Sequence, residues 1–155
     1  MPNSKLDVID RKILRAIQQD ARVSNLELAK AVGLSPTPCL RRVRRLESDG
    51  VIAGYAAVLD QRRVGLPVSV FAQVRMDSHD NDTLARFEET VRAWPEILEC
   101  YLMTGARDYL LRIVVEDVAA YERFIKEKLT RIPGIGSIES SFALNQIKHV
   151  SALPI

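Results

Sequence analysis

Only Leu34 and Ser35 separate a helix that has to end at Gly33 from one that has to begin at Pro36. Ser24-Asn25-Leu26-Glu27 opens the earlier helix as a capping box, with serine and glutamate each satisfying a free backbone amide of the other. Gly33 supplies the left-handed residue that stops it. Ser35 is the expected N-cap of the later helix, and Pro36 is suited to its first position, where no backbone N–H is needed. Pro38 is tolerated because it still lies in the first turn. Gly50 ends that helix. Upstream, Leu6, Ile9, Ile13, Leu14 and Ile17 form an apolar stripe at helical spacing, with Asp7 and Asp10 near the N-terminus where the helix dipole favours them. Two helices joined by so tight a turn, behind a longer packing helix, describe a helix-turn-helix.

The later helix carries the chemistry. On a wheel of about 100° per residue with Arg41 at zero, Arg41, Arg42, Arg44 and Arg45 lie between roughly −60° and +100°, and Cys39, Leu40, Val43 and Leu46 between roughly 140° and 260°. The front is cationic and the back apolar. A recognition helix enters the major groove N-terminal end first. That places Ser35, Thr37 and Pro38 near base edges or phosphates, with the arginines further along. The arginine fork holds a guanine edge or a phosphate through two hydrogen bonds. Charge distribution agrees: residues 1–64 hold 12 Lys/Arg against 7 Asp/Glu, a net of +5, and residues 65–155 hold 10 against 13, a net of −3. The basic part is expected to meet a polyanion, and double-stranded DNA fits.

Residues 51–59 read as a short extended segment, closing a DNA-binding domain at 1–60, with a linker at 61–67. The remainder, 68–155, alternates: strand 68–76, helix 82–94, strand 97–104, a turn at 105–107, strand 108–115, helix 118–131 and strand 138–148. The order β-α-β-β-α-β predicts a ferredoxin-like fold, making the whole chain α+β. The sequence has no apolar run of the roughly 18 residues a membrane span needs. No apolar signal segment precedes the first helix. Cys39 and Cys100 belong to no Cys-x-x-Cys pair, which argues against a metal site or a disulfide framework and predicts a cytoplasmic protein.

Leu6-Asp7-x-x-Asp10-Arg11-x-Ile13-Leu14 resembles the opening of the Lrp/AsnC (feast/famine) family of transcriptional regulators. So do Leu34-Ser35-Pro36-Thr37-Pro38-Cys39-x-Arg41-Arg42-Val43-Arg44-Arg45-Leu46-Glu47 and Gly50-Val51-Ile52-x-Gly54-Tyr55. Glu99-Cys100-Tyr101-Leu102-Met103-Thr104-Gly105-x-x-Asp108-Tyr109-Leu110-Leu111 extends the resemblance into the C-terminal half. It implies a winged helix-turn-helix followed by a ferredoxin-like effector-binding and oligomerisation domain. It also implies dimers, commonly assembled into tetramers of dimers, and control of amino-acid metabolism genes in response to an amino acid. The strand Ser140-Ser141-Phe142-Ala143-Leu144 looks like that of members controlling amino-acid catabolism.

A free amino acid needs amide donors for its carboxylate and an acid or carbonyl for its ammonium. Thr104-Gly105-Ala106-Arg107-Asp108 offers backbone N–H groups, a hydroxyl and a carboxylate within five residues, and Gly105 permits close approach. By itself this is ordinary β-turn chemistry. By resemblance it lines an effector pocket between subunits, with Ser141 and Phe142 nearby. Arg107 beside Asp108 is expected to compete with a ligand ammonium. Some haem-pathway decarboxylases resemble this architecture, so fold alone leaves catalysis open. His79 and His149 read as solvated, however, and no nucleophile–base pair is visible, so neither a catalytic residue nor a cofactor is expected. An effector-independent architectural DNA-binding protein is the other alternative.

Overall fold

The structure, a computed structural model, describes residues 6–155. Its contacts divide into two units, one comprising the chain up to Val58 together with Lys148–Ile155, the other Leu59–Ile147.

The first unit holds three helices. α1 (Val8–Gln19) starts at a capping box between Asp7 and Asp10. α2 (Asn25–Val32) starts at the Ser24–Glu27 box and stops at Gly33, whose φ of 74° is left-handed. α3 (Pro36–Ser48) has Pro in its first turn, and the Ser35 backbone is extended at the N-cap, although its hydroxyl makes no capping bond. Ile13, Leu28, Ala29, Val32, Cys39 and Leu46 form the buried core where the three helices meet. Every one of these residues sits on a stripe spaced three or four apart, which is why three short helices suffice.

The second unit is a four-stranded antiparallel sheet in the order β2-β3-β1-β4. Its strands are β1 (Val68–Met76), β2 (Ile97–Leu102), β3 (Tyr109–Val115) and β4 (Ile135–Phe142). α4 (Asn81–Arg92) joins β1 to β2, and α5 (Val118–Glu127), followed by a 3-10 turn at Leu129–Arg131, joins β3 to β4. This is the expected βαββαβ ferredoxin-like order. Val70, Ala72, Val74 and Met76 of β1, with Leu111 and Ile113 of β3, point to one face and are buried with Phe87, Val91, Tyr121 and Phe124 of the helices. Phe71 and Tyr101 point to the opposite face and stay exposed.

Several boundaries differ from the sequence reading, most of all at β4, at the C-terminal tail and at the 61–67 segment. β4 begins three residues earlier than position 138, where Ile135 pairs with Met76 of β1, and stops at Phe142 opposite Val70, with one further backbone bond from the Ala143 N–H to the Ser69 carbonyl at 2.9 Å. The last eight residues, expected with the second domain, pack with the first. The Gln18 side chain accepts the Leu153 N–H at 2.6 Å and donates to the Leu153 carbonyl at 3.2 Å. Arg15 donates to the Ile155 carbonyl, and Ile155 packs against the three-helix core. The 61–67 segment belongs to the second unit. It is a hydrogen-bonded turn in which Asp60 caps Arg62 and Arg63, while Gln61 bonds Ser69.

Candidate nucleic-acid interface and effector turn

α3 is held from behind by Cys39 and Leu46, both fully buried, and at its start by Asn25, whose side-chain amide donates to the Pro36 carbonyl at 2.9 Å. Burial pushes the Cys39 thiol pKa up, so it is a core residue rather than a nucleophile. Tyr55 donates its hydroxyl to Glu47 at 2.8 Å, tying the segment after α3 back onto the helix. Ser35 and Thr37 are exposed at the N-terminal end, and Pro38 is half-buried beside them.

The four arginines divide into two pairs. Arg41 and Arg44 are exposed, and neither meets a hydrogen-bond or ion-pair partner among the described residues. Arg42 donates through Nη1 to Asp7 at 2.6 Å and to Asp10 at 2.8 Å. Arg45 donates through Nη2 to the other oxygen of Asp10 at 2.6 Å. The Asp10 side chain is only 1% exposed. A buried carboxylate must be paired, and Asp10 is paired twice. The Asp10 backbone N–H, and then Arg42, hold the Asp7 carboxyl below its usual range. The same bonds from Asp7 and Asp10 raise the Arg42 guanidinium. Sequence reasoning took Asp7 and Asp10 for helix-dipole residues alone. The missed signal was spacing: Asp10 stands three, four and seven residues before Ile13, Leu14 and Ile17, an acid on the inward stripe of α1 that could not remain unpaired.

The second candidate site is the β2–β3 hairpin. The Met103 N–H donates to the Asp108 carbonyl at 2.8 Å and closes the loop. Gly105 has φ 115°, where a side chain would strain the backbone. Thr104, Gly105 and Ala106 are exposed, and none of the described residues accepts from the N–H groups of 104–107. Asp108 is engaged on both oxygens. One accepts the Met76 N–H at 2.6 Å, and the other lies 2.8 Å from His79 Nε2. Those contacts, the amide first, hold its carboxyl below the usual value. His79, read as a solvated loop residue, is 64% exposed yet belongs to this cluster.

Arg107 does not pair with Asp108. It turns away to β4, donating to Glu139 at 2.9 Å and Ser137 at 3.2 Å, so the expected competition with a ligand ammonium is absent from this arrangement. Ser141 and Phe142 are not brought to the turn within one protomer. They pair with Phe71 and Val70 near the start of β1, whereas Asp108 bonds Val74 and Met76 near its end. Four residues along a strand separate the two groups by about 13 Å. Ser141 lies on the open face with Phe71, and Phe142 packs edge-on against Tyr121 of α5 on the other. Among the described residues no cluster of three or more His, Cys, Asp or Glu could hold a metal ion, and no helix is long and apolar enough to cross a membrane.

Residues 6–53 match a family model described as winged helix-turn-helix DNA-binding, and residues 69–153 match the Lrp/AsnC ligand binding domain. The chain belongs to the Lrp/AsnC family. The Bkd operon transcriptional regulator of Pseudomonas aeruginosa is 49% identical over 152 residues, 98% of this chain and 99% of that protein. The leucine-responsive regulatory protein of Escherichia coli K12 is 42% identical over 154 residues, 99% of this chain and 94% of that one. Among solved structures, a transcriptional regulator from Neisseria meningitidis in complex with L-Met superposes with a TM-score of 0.92 at 40% identity, covering 96% of each chain. An AsnC family regulator from Agrobacterium tumefaciens gives 0.91 at 47%, again over 96% of each. This family member is therefore a DNA-binding transcriptional regulator and not an enzyme, with its helix-turn-helix in the first unit and its ligand-binding fold in the second.

Proposed function

We propose that the regulator reads double-stranded DNA in a sequence-specific way and controls amino-acid metabolism genes in response to a free amino acid. α3 presents Ser35, Thr37, Pro38, Arg41 and Arg44 to the duplex, while Arg42 and Arg45 stand at the edge of the same face, bound to α1. The observation that carries the DNA part is that Arg41 and Arg44, on the exposed side of a helix whose other side is locked into a core, meet no partner among the described residues. The effector binds where a subunit's 104–107 amides can receive its carboxylate. Asp108 receives its ammonium in place of His79, and Ser141 and Phe142 of another subunit complete the pocket. Support comes from an exposed turn whose amides donate to none of the described residues and from a relative of the same fold crystallised with L-Met. The names of the leucine-responsive and Bkd relatives favour genes of amino-acid metabolism.

The protein assembles with itself, as dimers and then tetramers of dimers, through a sheet face on which Phe71 and Tyr101 are left exposed. It works in the cytoplasm. Selection from randomised duplexes is expected to enrich a two-fold symmetric site with half-sites one or more whole turns of about 34–36 Å apart. A thermal-shift screen of the twenty amino acids is expected to give hits, since a native-state ligand at a hundredfold excess over Kd adds about 2.7 kcal/mol. No enriched motif together with no hit would leave an effector-independent architectural protein as the better description.

A further inference from the structure

We infer that Asp10, a residue of α1, is a specificity-determining positioning residue: it withholds Arg45, and with Asp7 also Arg42, from the nucleic-acid backbone. Arg41 and Arg44 are then the arginines of α3 that address DNA. The inference rests on α3 being the reading helix. The geometry is asymmetric around that helix. Arg44 and Arg41 occupy the flank at roughly −60° and 0°, and Arg45 and Arg42 the flank at roughly +40° and +100°. The Asp7 and Asp10 carboxylates lie along the second flank only, 2.6–2.8 Å from the guanidinium nitrogens of Arg42 and Arg45. Arg45 is half-exposed while Asp10 is buried, so the acid is fixed and the cation comes to it.

A helix that offered four free arginines would bind any duplex through phosphate contacts, which are insensitive to sequence. Two anchored arginines do something else. They orient α3 against α1 and keep two charges out of non-specific binding. Asp10 thereby raises the ratio of specific to random affinity without touching a base. Because Asp7 still holds Arg42 when Asp10 is neutralised, Arg45 is the cation an Asp10→Asn variant sets free.

The test uses the full-length chain, the duplex enriched by selection and a random-sequence duplex of equal length, with affinity measured from 50 to 200 mM salt. The slope of log affinity against log salt changes by about 0.9 per phosphate contact, which is roughly a 3- to 4-fold change in affinity across that range. Arg41→Gln and Arg44→Gln are each expected to flatten the slope by about one contact. Arg45→Gln is expected to leave it unchanged. Asp10→Asn is expected to steepen it by up to one contact and lower the specific-to-random ratio, and Asp10→Asn with Arg45→Gln to return the slope to wild type. The inference is overturned if Arg45→Gln flattens the slope as Arg41→Gln does, or if a folded Asp10→Asn variant keeps the wild-type slope and ratio. Should Asp10→Asn fail to fold, the Arg45→Gln against Arg41→Gln comparison decides alone. If neither Arg41→Gln nor Arg44→Gln alters binding, the reading helix itself is misassigned, and that outcome is distinct from an error about Asp10.

Discussion

Replacing Asp108 with alanine is expected to destabilise the ferredoxin-like unit by about 2–3 kcal/mol, whatever it does to ligand binding. The Asp108 N–H donates to the Val74 carbonyl at 2.9 Å, and its side chain accepts from the Met76 N–H at 2.6 Å. The residue therefore extends the β1–β3 ladder with its own carboxylate, one step beyond the last backbone pair. Hydrogen bonds to a charged acceptor contribute about 1.5–3 kcal/mol, and alanine also leaves an amide without a partner in a buried residue. His79, largely exposed, adds little. Asp108→Asn retains an acceptor and loses only the charge, so about 1 kcal/mol is expected.

Trp94 is the sole tryptophan and packs edge-on to Phe124 at 5.6 Å, so its fluorescence in urea reports this unit alone. For a unit of this size 2–3 kcal/mol corresponds to a fall in Tm on the order of 10–20 °C. The pH dependence has a definite sign. The folded carboxyl is depressed, so its contribution is complete above the unfolded pKa of about 3.9 and is lost as pH falls below it towards the folded value. The gap between wild type and the alanine variant should close below pH 4. A loss under about 0.5 kcal/mol at neutral pH, within the ordinary range for surface substitutions, would refute the ladder role.

Phe87→Ala removes a fully buried ring tilted against Tyr109 at a centroid distance of 4.5 Å and should cost about 3–5 kcal/mol, read by the same Trp94 signal. Gln18→Ala breaks both bonds to the Leu153 backbone, at about 1 kcal/mol, and should speed trimming of 148–155 in limited proteolysis. Cys39 should resist a thiol reagent in the native protein and react only on unfolding, since it is fully buried and its pKa is raised.

Elements whose signal is local were legible in the sequence. The alternation in 68–76 marks β1 with its bounds, and the capping box at Ser24 and the stop at Gly33 frame α2. What stayed hidden depends on partners. Apolar Leu144 and Ile147 extended the expected strand past Phe142, yet a strand lasts only as long as its ladder bonds continue, and the last bond to β1 is the one from the Ala143 N–H to the Ser69 carbonyl. The wheel of α3 separates front from back correctly, but it cannot see a second helix beside the front, so it counted four equal arginines where α1 engages two. Within the effector turn, Gly105 and Asp108 stood out by type. The direction of Arg107 was set by Glu139 and Ser137, more than thirty and exactly thirty positions away respectively, and no local pattern carries that.

The return of 148–155 to α1 links the fate of the two units during folding. Gln18 and Leu153 are 135 positions apart, a loop whose closure opposes docking of the tail in an unfolded chain. Folding of the second unit removes most of that loop. β1 and β4 pair through Val70 and Phe142, and the Ala143 N–H meets the Ser69 carbonyl at 2.9 Å, so the chain leaves the sheet beside the place where it entered. The tail then starts its path a few residues from Lys148 rather than a whole domain away. Closure of the sheet therefore lowers the entropic cost of docking 148–155 against α1.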